Sequence, residues 1–155
     1  MRILFVCTGN TCRSPMAEAI ARAVAAERGL TDVHFASAGV SAADGSSASD
    51  GALLVAMERG LDLSGHRSRL LTPELVADAD LVLAMGAGHA ARAEALGGAG
   101  KTHLLTRYAS GDREARSVSD PFGGDLAVYR ETFDELEREI RRALDRLPHR
   151  TPDAP

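Results

Sequence analysis

The residues best suited to do chemistry in this chain form one run near its start, Cys7-Thr8-Gly9-Asn10-Thr11-Cys12-Arg13, followed by Ser14-Pro15. Cys7 is a nucleophile in the making. A helix N-terminus and a nearby cation favour a thiolate over a thiol. Arg13 supplies the cation, and its planar fork binds two phosphate oxygens at once, which a Lys cannot do. Between them, the backbone N–H groups of Thr8, Gly9, Asn10, Thr11 and Cys12 can converge on one anion, helped by the start of the following helix. Gly9 permits a positive φ and close backbone approach. Asn10, the only Asn in the chain, tolerates the left-handed region. A nucleophile, a dipole cage and a bidentate clamp in one loop suit phosphoryl transfer through a phosphocysteine intermediate.

Such a reaction also needs an acid for the leaving group and a base for the water that follows, and one carboxyl group can serve as both. Asp120, in the polar stretch Ser110–Gly124, is the candidate. Pro121 biases it to an extended backbone, and Gly123-Gly124 leave room for a turn. Phe122 either packs or lines the pocket mouth.

The elements that must position these groups follow from periodicity. Ile3–Val6 reads as a buried strand that delivers the loop. Ser14 reads as an N-cap with Pro15 opening a helix that Gly29 closes. Further strands are expected at Val33–Ala38, Asp80–Met85 and Thr102–Thr106. Helices are expected at Ser49–Arg59, from Thr72-Pro73-Glu74, at Ala87–Leu96 and from Asp125 to Leu147. The last has an apolar stripe of Leu126, Tyr129, Phe133, Ile140, Leu144 and Leu147. Its Arg-rich remainder is expected to be solvated and paired at i, i+4. Met16, Met57 and Met85 are assigned to the core. Alternating strands and helices predict a single-domain α/β fold, a parallel sheet with helices on both faces. Ligands then bind beyond the C-terminal ends of the strands, where the Cys7–Arg13 loop lies. The domain is expected to span residues 1–147, with 148–155 as a flexible tail.

Composition narrows the classes. The chain has 155 residues, 45% hydrophobic, with 18 basic and 22 acidic residues and a net charge of −4. That disfavours nucleic-acid binding through net charge. No apolar run suffices to span a bilayer. Two Cys cannot build a disulfide framework, so a reducing, cytoplasmic setting is expected. The five His have no metal-ligand spacing, so neither a metal nor a cofactor is expected. A phosphorylated protein is the expected partner, and a monomer the expected state.

Cys-x5-Arg-Ser-Pro with a distant Asp-Pro resembles the low-molecular-weight protein tyrosine phosphatases. The resemblance extends over Ser37-Ala38-Gly39, Gly65-His66-Arg67-Ser68-Arg69 and Leu81–Met85. It implies a four-stranded parallel sheet with helices around it and no metal. It also implies Cys7 as nucleophile, Arg13 as clamp, Asp120 as general acid, Ser14 as a hydrogen-bond partner of the thiolate, and Asn10 with His66 as loop supports. Thr11 in place of the usual Ile, and Asp-Pro-Phe-Gly-Gly in place of a tyrosine-rich rim, are similar to the bacterial protein-arginine phosphatase branch. There the residue matching Thr11 selects the substrate, so phosphoarginine is preferred over phosphotyrosine.

Other readings compete. Cys7 and Cys12 could be small buried hydrophobes, or Cys12 a redox partner that protects Cys7 as a disulfide. An arsenate reductase would need Cys beyond Cys12. A silent phosphate-binding module would not need Cys7, Arg13 and Asp120 together. Ala95–Thr102 fits a relaxed nucleotide-binding loop, but it follows a helix and precedes a strand, the inverse of the required context.

Overall fold

The computed structural model describes residues 1–148; the tail expected at 148–155 lies outside them except for Pro148. Four parallel strands form one sheet: β1 (Arg2–Cys7), β2 (His34–Gly39), β3 (Leu81–Ala84) and β4 (Thr102–Leu104), in the order β2-β1-β3-β4. The fold is thus the single-domain α/β arrangement that the alternation of elements predicts. Among the described residues six α-helices accompany the sheet: α1 (Arg13–Glu27), α2 (Asp50–Glu58), α3 (Pro73–Asp78), α4 (Ala87–Ala93), α5 (Leu105–Ser110) and α6 (Leu126–Asp145).

The two faces of β1 show why the strand is apolar throughout. Ile3, Phe5 and Cys7 point into a large core with Met16, Ile20, Phe133, Leu136 and Ile140. Leu4 and Val6 point the other way, into a smaller core with Val76, Val82 and Ala93. Side chains alternate across a strand, so a strand covered on both faces must be apolar at every position. Among the described residues no helix is long and apolar enough to cross a membrane.

Three helices start where expected, each with a side-chain cap. Ser49 Oγ accepts from Ala52 N, Thr72 Oγ1 from Leu75 N with Pro73 next in line, and Asp125 Oδ1 from Val128 N. Ser14 is a correction. The α1 N-cap is Cys12, and Ser14 lies inside the helix with its hydroxyl turned to other partners. β4 ends at Leu104, and Leu105–Ser110 is a helix rather than strand and loop. α4 stops at Ala93 and a wider turn, Glu94–Gly98, follows it with Gly97 at φ 108°.

Met57 is also a correction: it is 66% exposed, whereas Met16 and Met85 are buried. The arginines of α6 pair mostly with other elements rather than at i, i+4. Arg130 grips Glu58, Arg141 grips Glu27, and Arg142 reaches Glu114 as well as Glu139. Glu139, fully buried, also meets Arg116 and Arg138. In the Gly-rich turn Gly97–Gly100, Lys101 Nζ donates to the Ala79 carbonyl and Thr102 Oγ1 to that of Gly98. These bonds make the segment a helix-to-strand turn whose cation is used internally.

Candidate active site

The strand order places the site. From β1 the chain runs out to β2 on one side; β3 lies on the other side of β1 and leads outward to β4. The connections leaving β1 and β3 therefore part company, and a crevice opens at their C-terminal ends. The Cys7–Cys12 loop occupies the β1 side, and α4 begins on the β3 side.

The loop is held by its own only Asn. Asn10 is fully buried at φ 55°, and Gly9 is not among the positive-φ residues, so the left-handed turn falls one residue later than Gly9 suggests. Asn10 Nδ2 donates to Ser14 Oγ at 2.8 Å and to Ser37 Oγ at 2.9 Å, while its Oδ1 accepts from Arg69 N at 3.0 Å. His66 Nε2 reaches the Asn10 carbonyl at 2.7 Å. The side-chain amide and the carbonyl of a buried, strained residue are thereby satisfied, which helps the strain to persist.

Gly39, opposite Cys7 on β2, completes the cradle. A Cβ there would stand 2.5 Å from the Thr8 carbonyl oxygen and 2.8 Å from Asn10 N. Gly39→Ala must push the loop backbone away. We expect a stability loss of about 1–3 kcal/mol by chemical denaturation, with reduced turnover. Parental stability and turnover would show that the loop tolerates the displacement.

Cys7 is buried, with Sγ 2.9 Å from Ser14 Oγ. Because Ser14 Oγ already accepts from Asn10, its own hydrogen is free to point at the sulfur. Arg13 is only 7% exposed in its side chain; it donates to the Val118 carbonyl at 3.1 Å and lies 3.5 Å from Asp120 Oδ2. Asp120 Oδ1 accepts from Phe122 N at 3.0 Å, and Gly124 N donates to the Pro121 carbonyl, with Gly123 at φ 77°. This turn, the one Asp-Pro-Phe-Gly-Gly suggests, holds a half-exposed carboxylate over the clamp. Phe122 is 77% exposed, so it is a rim residue and not a packing one.

Cys7, Thr8, Gly9, Thr11, Cys12, Arg13, Asp120 and Phe122 line one cavity of about 270 Å³. Every sequence-expected substrate or catalytic residue except Asn10 and Ser14 faces it; those two sit behind the loop. A larger cleft of about 510 Å³, bordered by Glu18, Arg22, Ser37, His66, Arg67 and Arg69, holds no cysteine. Both Cys are free. Cys12 Sγ meets Ser49 Oγ at 3.3 Å and the Tyr129 hydroxyl at 3.4 Å. Burial pushes the Tyr129 phenol above its ordinary value. No group of three or more His, Cys, Asp or Glu able to hold a metal occurs among the described residues.

Sequence reasoning missed several participants. Ser37, Ser49, Val118 and Tyr129 act through tertiary contacts that no spacing announces. His89, the third residue of α4, has Nε2 2.8 Å from Thr8 Oγ1. Burial, then the Arg13 charge, hold its pKa below the usual histidine value, and Asp120 offsets this in part.

The site's parts recur in known proteins. Residues 2–152 match the family described as low molecular weight phosphotyrosine protein phosphatase. A protein-arginine-phosphatase of Bacillus subtilis is 42% identical over 149 residues, covering 95% of this chain and 97% of that one. A low molecular weight protein-tyrosine-phosphatase, PtpB, of Staphylococcus haemolyticus is 39% identical, covering 88% and 92%. The crystal structure of a YwlE mutant from Bacillus subtilis superposes with a TM-score of 0.89 at 42% identity, covering 95% of this chain and 98% of that one. The chain belongs to the low molecular weight phosphotyrosine protein phosphatase family and is a cysteine-dependent protein phosphatase.

Proposed function

We propose that this phosphatase removes phosphate from phosphoarginine side chains of proteins, with Cys7 as nucleophile. The reading rests above all on one arrangement: the Asn10–Ser14–Cys7 hydrogen-bond chain at the floor of a cavity whose walls carry Arg13 and Asp120. Cys7 Sγ attacks phosphorus as the bond to the guanidine nitrogen breaks. Ser14 O–H steadies the thiolate, and Arg13 with the loop N–H groups of Thr8 to Cys12 holds the phosphoryl oxygens. Asp120 gives its proton to the leaving nitrogen. It then takes one from a water that attacks the phosphocysteine, and the S–P bond breaks to release inorganic phosphate. His66 supports the loop from behind and takes no proton in this scheme.

Thr11 supports the choice of arginine. It lines the cavity with a hydroxyl, and a phosphoguanidino group stays polar beyond its phosphate where a phenyl ring does not. The relative named for arginine is also slightly more similar to this chain than the one named for tyrosine. Phosphotyrosine is the second reading, supported by the description of the family itself. All the groups named come from one chain, so a monomer suffices. A reducing compartment such as the cytoplasm would keep both thiols free. Two-electron oxidation by a peroxide would join Cys7 to Cys12 as a disulfide and withdraw the nucleophile until reduction restored it.

Phosphate release from matched phosphoarginine and phosphotyrosine peptides tests the substrate. The expected result is a higher kcat/KM on phosphoarginine. Thr11→Ile is expected to shift the ratio toward phosphotyrosine by about tenfold or more. A parental preference for phosphotyrosine would overturn the choice, and an unchanged ratio in the variant would remove Thr11 as its cause.

A further inference from the structure

His89 is not part of the mechanism above, yet it touches the phosphate loop directly. It enters the crevice from α4, on the β3 side, and its Nε2 lies 2.8 Å from Thr8 Oγ1, so one contact bridges the two sides. Its other ring nitrogen, Nδ1, is buried and has no hydrogen-bond partner among the described residues. Thr8 lines the cavity and is exposed there. Its hydroxyl has His89 as its hydrogen-bond partner among the described residues.

The proton count on the ring decides what this contact does. Burial and the Arg13 charge disfavour imidazolium, so the ring carries one proton. A buried N–H without an acceptor is the rarer kind of orphan, as it is for backbone groups. The single proton therefore belongs on Nε2, and Nδ1 keeps only a lone pair; this is an assignment from the hydrogen-bond pattern. Nε2–H then donates to Thr8 Oγ1. With an acceptor site of the oxygen so occupied, the Thr8 hydroxyl hydrogen is free to turn away from the ring and point into the cavity that Thr8 lines.

We propose that His89 is a positioning residue that makes the Thr8 hydroxyl a donor to the bound phosphoryl group. This rests on the phosphatase reading and adds a side-chain donor to the backbone cage. It acts on the phosphoryl group, which is common to both candidate substrates, and so does not depend on which of them is correct. The imidazole exchanges no proton with the substrate in this role.

The test combines His89→Ala, Thr8→Val, the double variant and His89→Gln. A hydrogen bond to a charged group is typically worth about tenfold or more in affinity. Both single variants are expected to lose about tenfold in kcat/KM, equally on phosphoarginine and phosphotyrosine peptides. Affinity for inorganic phosphate, read by titration calorimetry, is expected to fall by a similar factor. The double variant should lose no more than either single one, because both remove the same donor. His89→Gln carries an amide N–H that can replace Nε2–H, and should recover most of the loss at unchanged KM-to-kcat balance. A merely structural role would show as a lowered Tm with no Gln rescue and with losses that multiply in the double variant; that pattern overturns the proposal. So does a phosphate affinity unchanged in either single variant. A parent that turns over neither peptide would sink the phosphatase reading instead. The calorimetric comparison would still decide between a positioned Thr8 donor and none.

Discussion

Replacing Cys7 by Ala is expected to lower phosphate release by on the order of 10⁴ or more while phosphopeptide binding survives. The reasoning lies in how the site divides its work. Arg13 is fixed by the Val118 carbonyl and the loop by Asn10, neither of which depends on the sulfur. Binding should therefore outlast catalysis. The thiol is buried in the larger core, so its removal leaves a small void worth roughly 1 kcal/mol, too little to unfold the chain. Steady-state turnover and calorimetric binding on the same preparation check both halves. Residual turnover within tenfold of the parent would mean that another group, or water itself, attacks phosphorus.

The second large effect is expected at Asp120. Asp120→Asn keeps the size of the side chain and can still accept from Phe122 N through its amide oxygen, so the turn persists. What it loses is the proton. General acid catalysis typically contributes 10²–10⁴-fold, so kcat/KM, which reports formation of the phosphocysteine, should fall by about 10² or more on a poor leaving group, and much less on an activated aryl phosphate whose leaving group needs no proton. Asparagine also removes the carboxylate 3.5 Å from Arg13. A like-sized fall for good and poor leaving groups would therefore assign Asp120 to holding the clamp rather than to proton transfer.

How much of this could be read from the chain follows the range of the interactions. The loop, the four strands and the Ser49, Thr72 and Asp125 caps depend on residues within a few positions of one another, and periodicity and turn chemistry capture those. Ser14 misleads for a physical reason. A Ser before Pro-Met-Ala has every local mark of an N-cap, but its hydroxyl is claimed by Asn10 and Cys7, and the cap falls two residues earlier, at Cys12, with the helix starting at Arg13. The helix Leu105–Ser110 hides behind the apolar Leu104-Leu105 pair, which fits a strand; the left-handed Gly111 at its end is the local signal that marks it. Met57 was assignable to the core only by type, and it faces solvent on α2. The arginines of α6 find acids on α1, α2 and the Ser110–Gly124 segment, which spacing within one helix does not foresee.

Within the site, the same division holds. Cys7, Arg13, Asp120 and Thr11 are marked by type and spacing. Their supports are not. Asn10 reaches Ser37 and Arg69, and Cys12 reaches Tyr129, across 27, 59 and 117 residues. His89 sits in an Ala-rich helix with nothing in its neighbourhood to mark it, and becomes visible only when the strand order places α4 beside the loop.

The most direct test of the account is whether phosphorus becomes bonded to sulfur. Asp120→Asn mixed with an activated aryl phosphate, stopped with denaturant within one turnover and examined by peptide mass spectrometry, isolates the second half of the reaction. Formation of the intermediate then needs no acid, while its hydrolysis lacks the base. The expected result is one phosphoryl group on the peptide containing Cys7, accumulating in step with a burst of released phenol. A burst without modification of Cys7, or turnover with no burst and no adduct, would contradict the nucleophilic role of Cys7 and with it the mechanism.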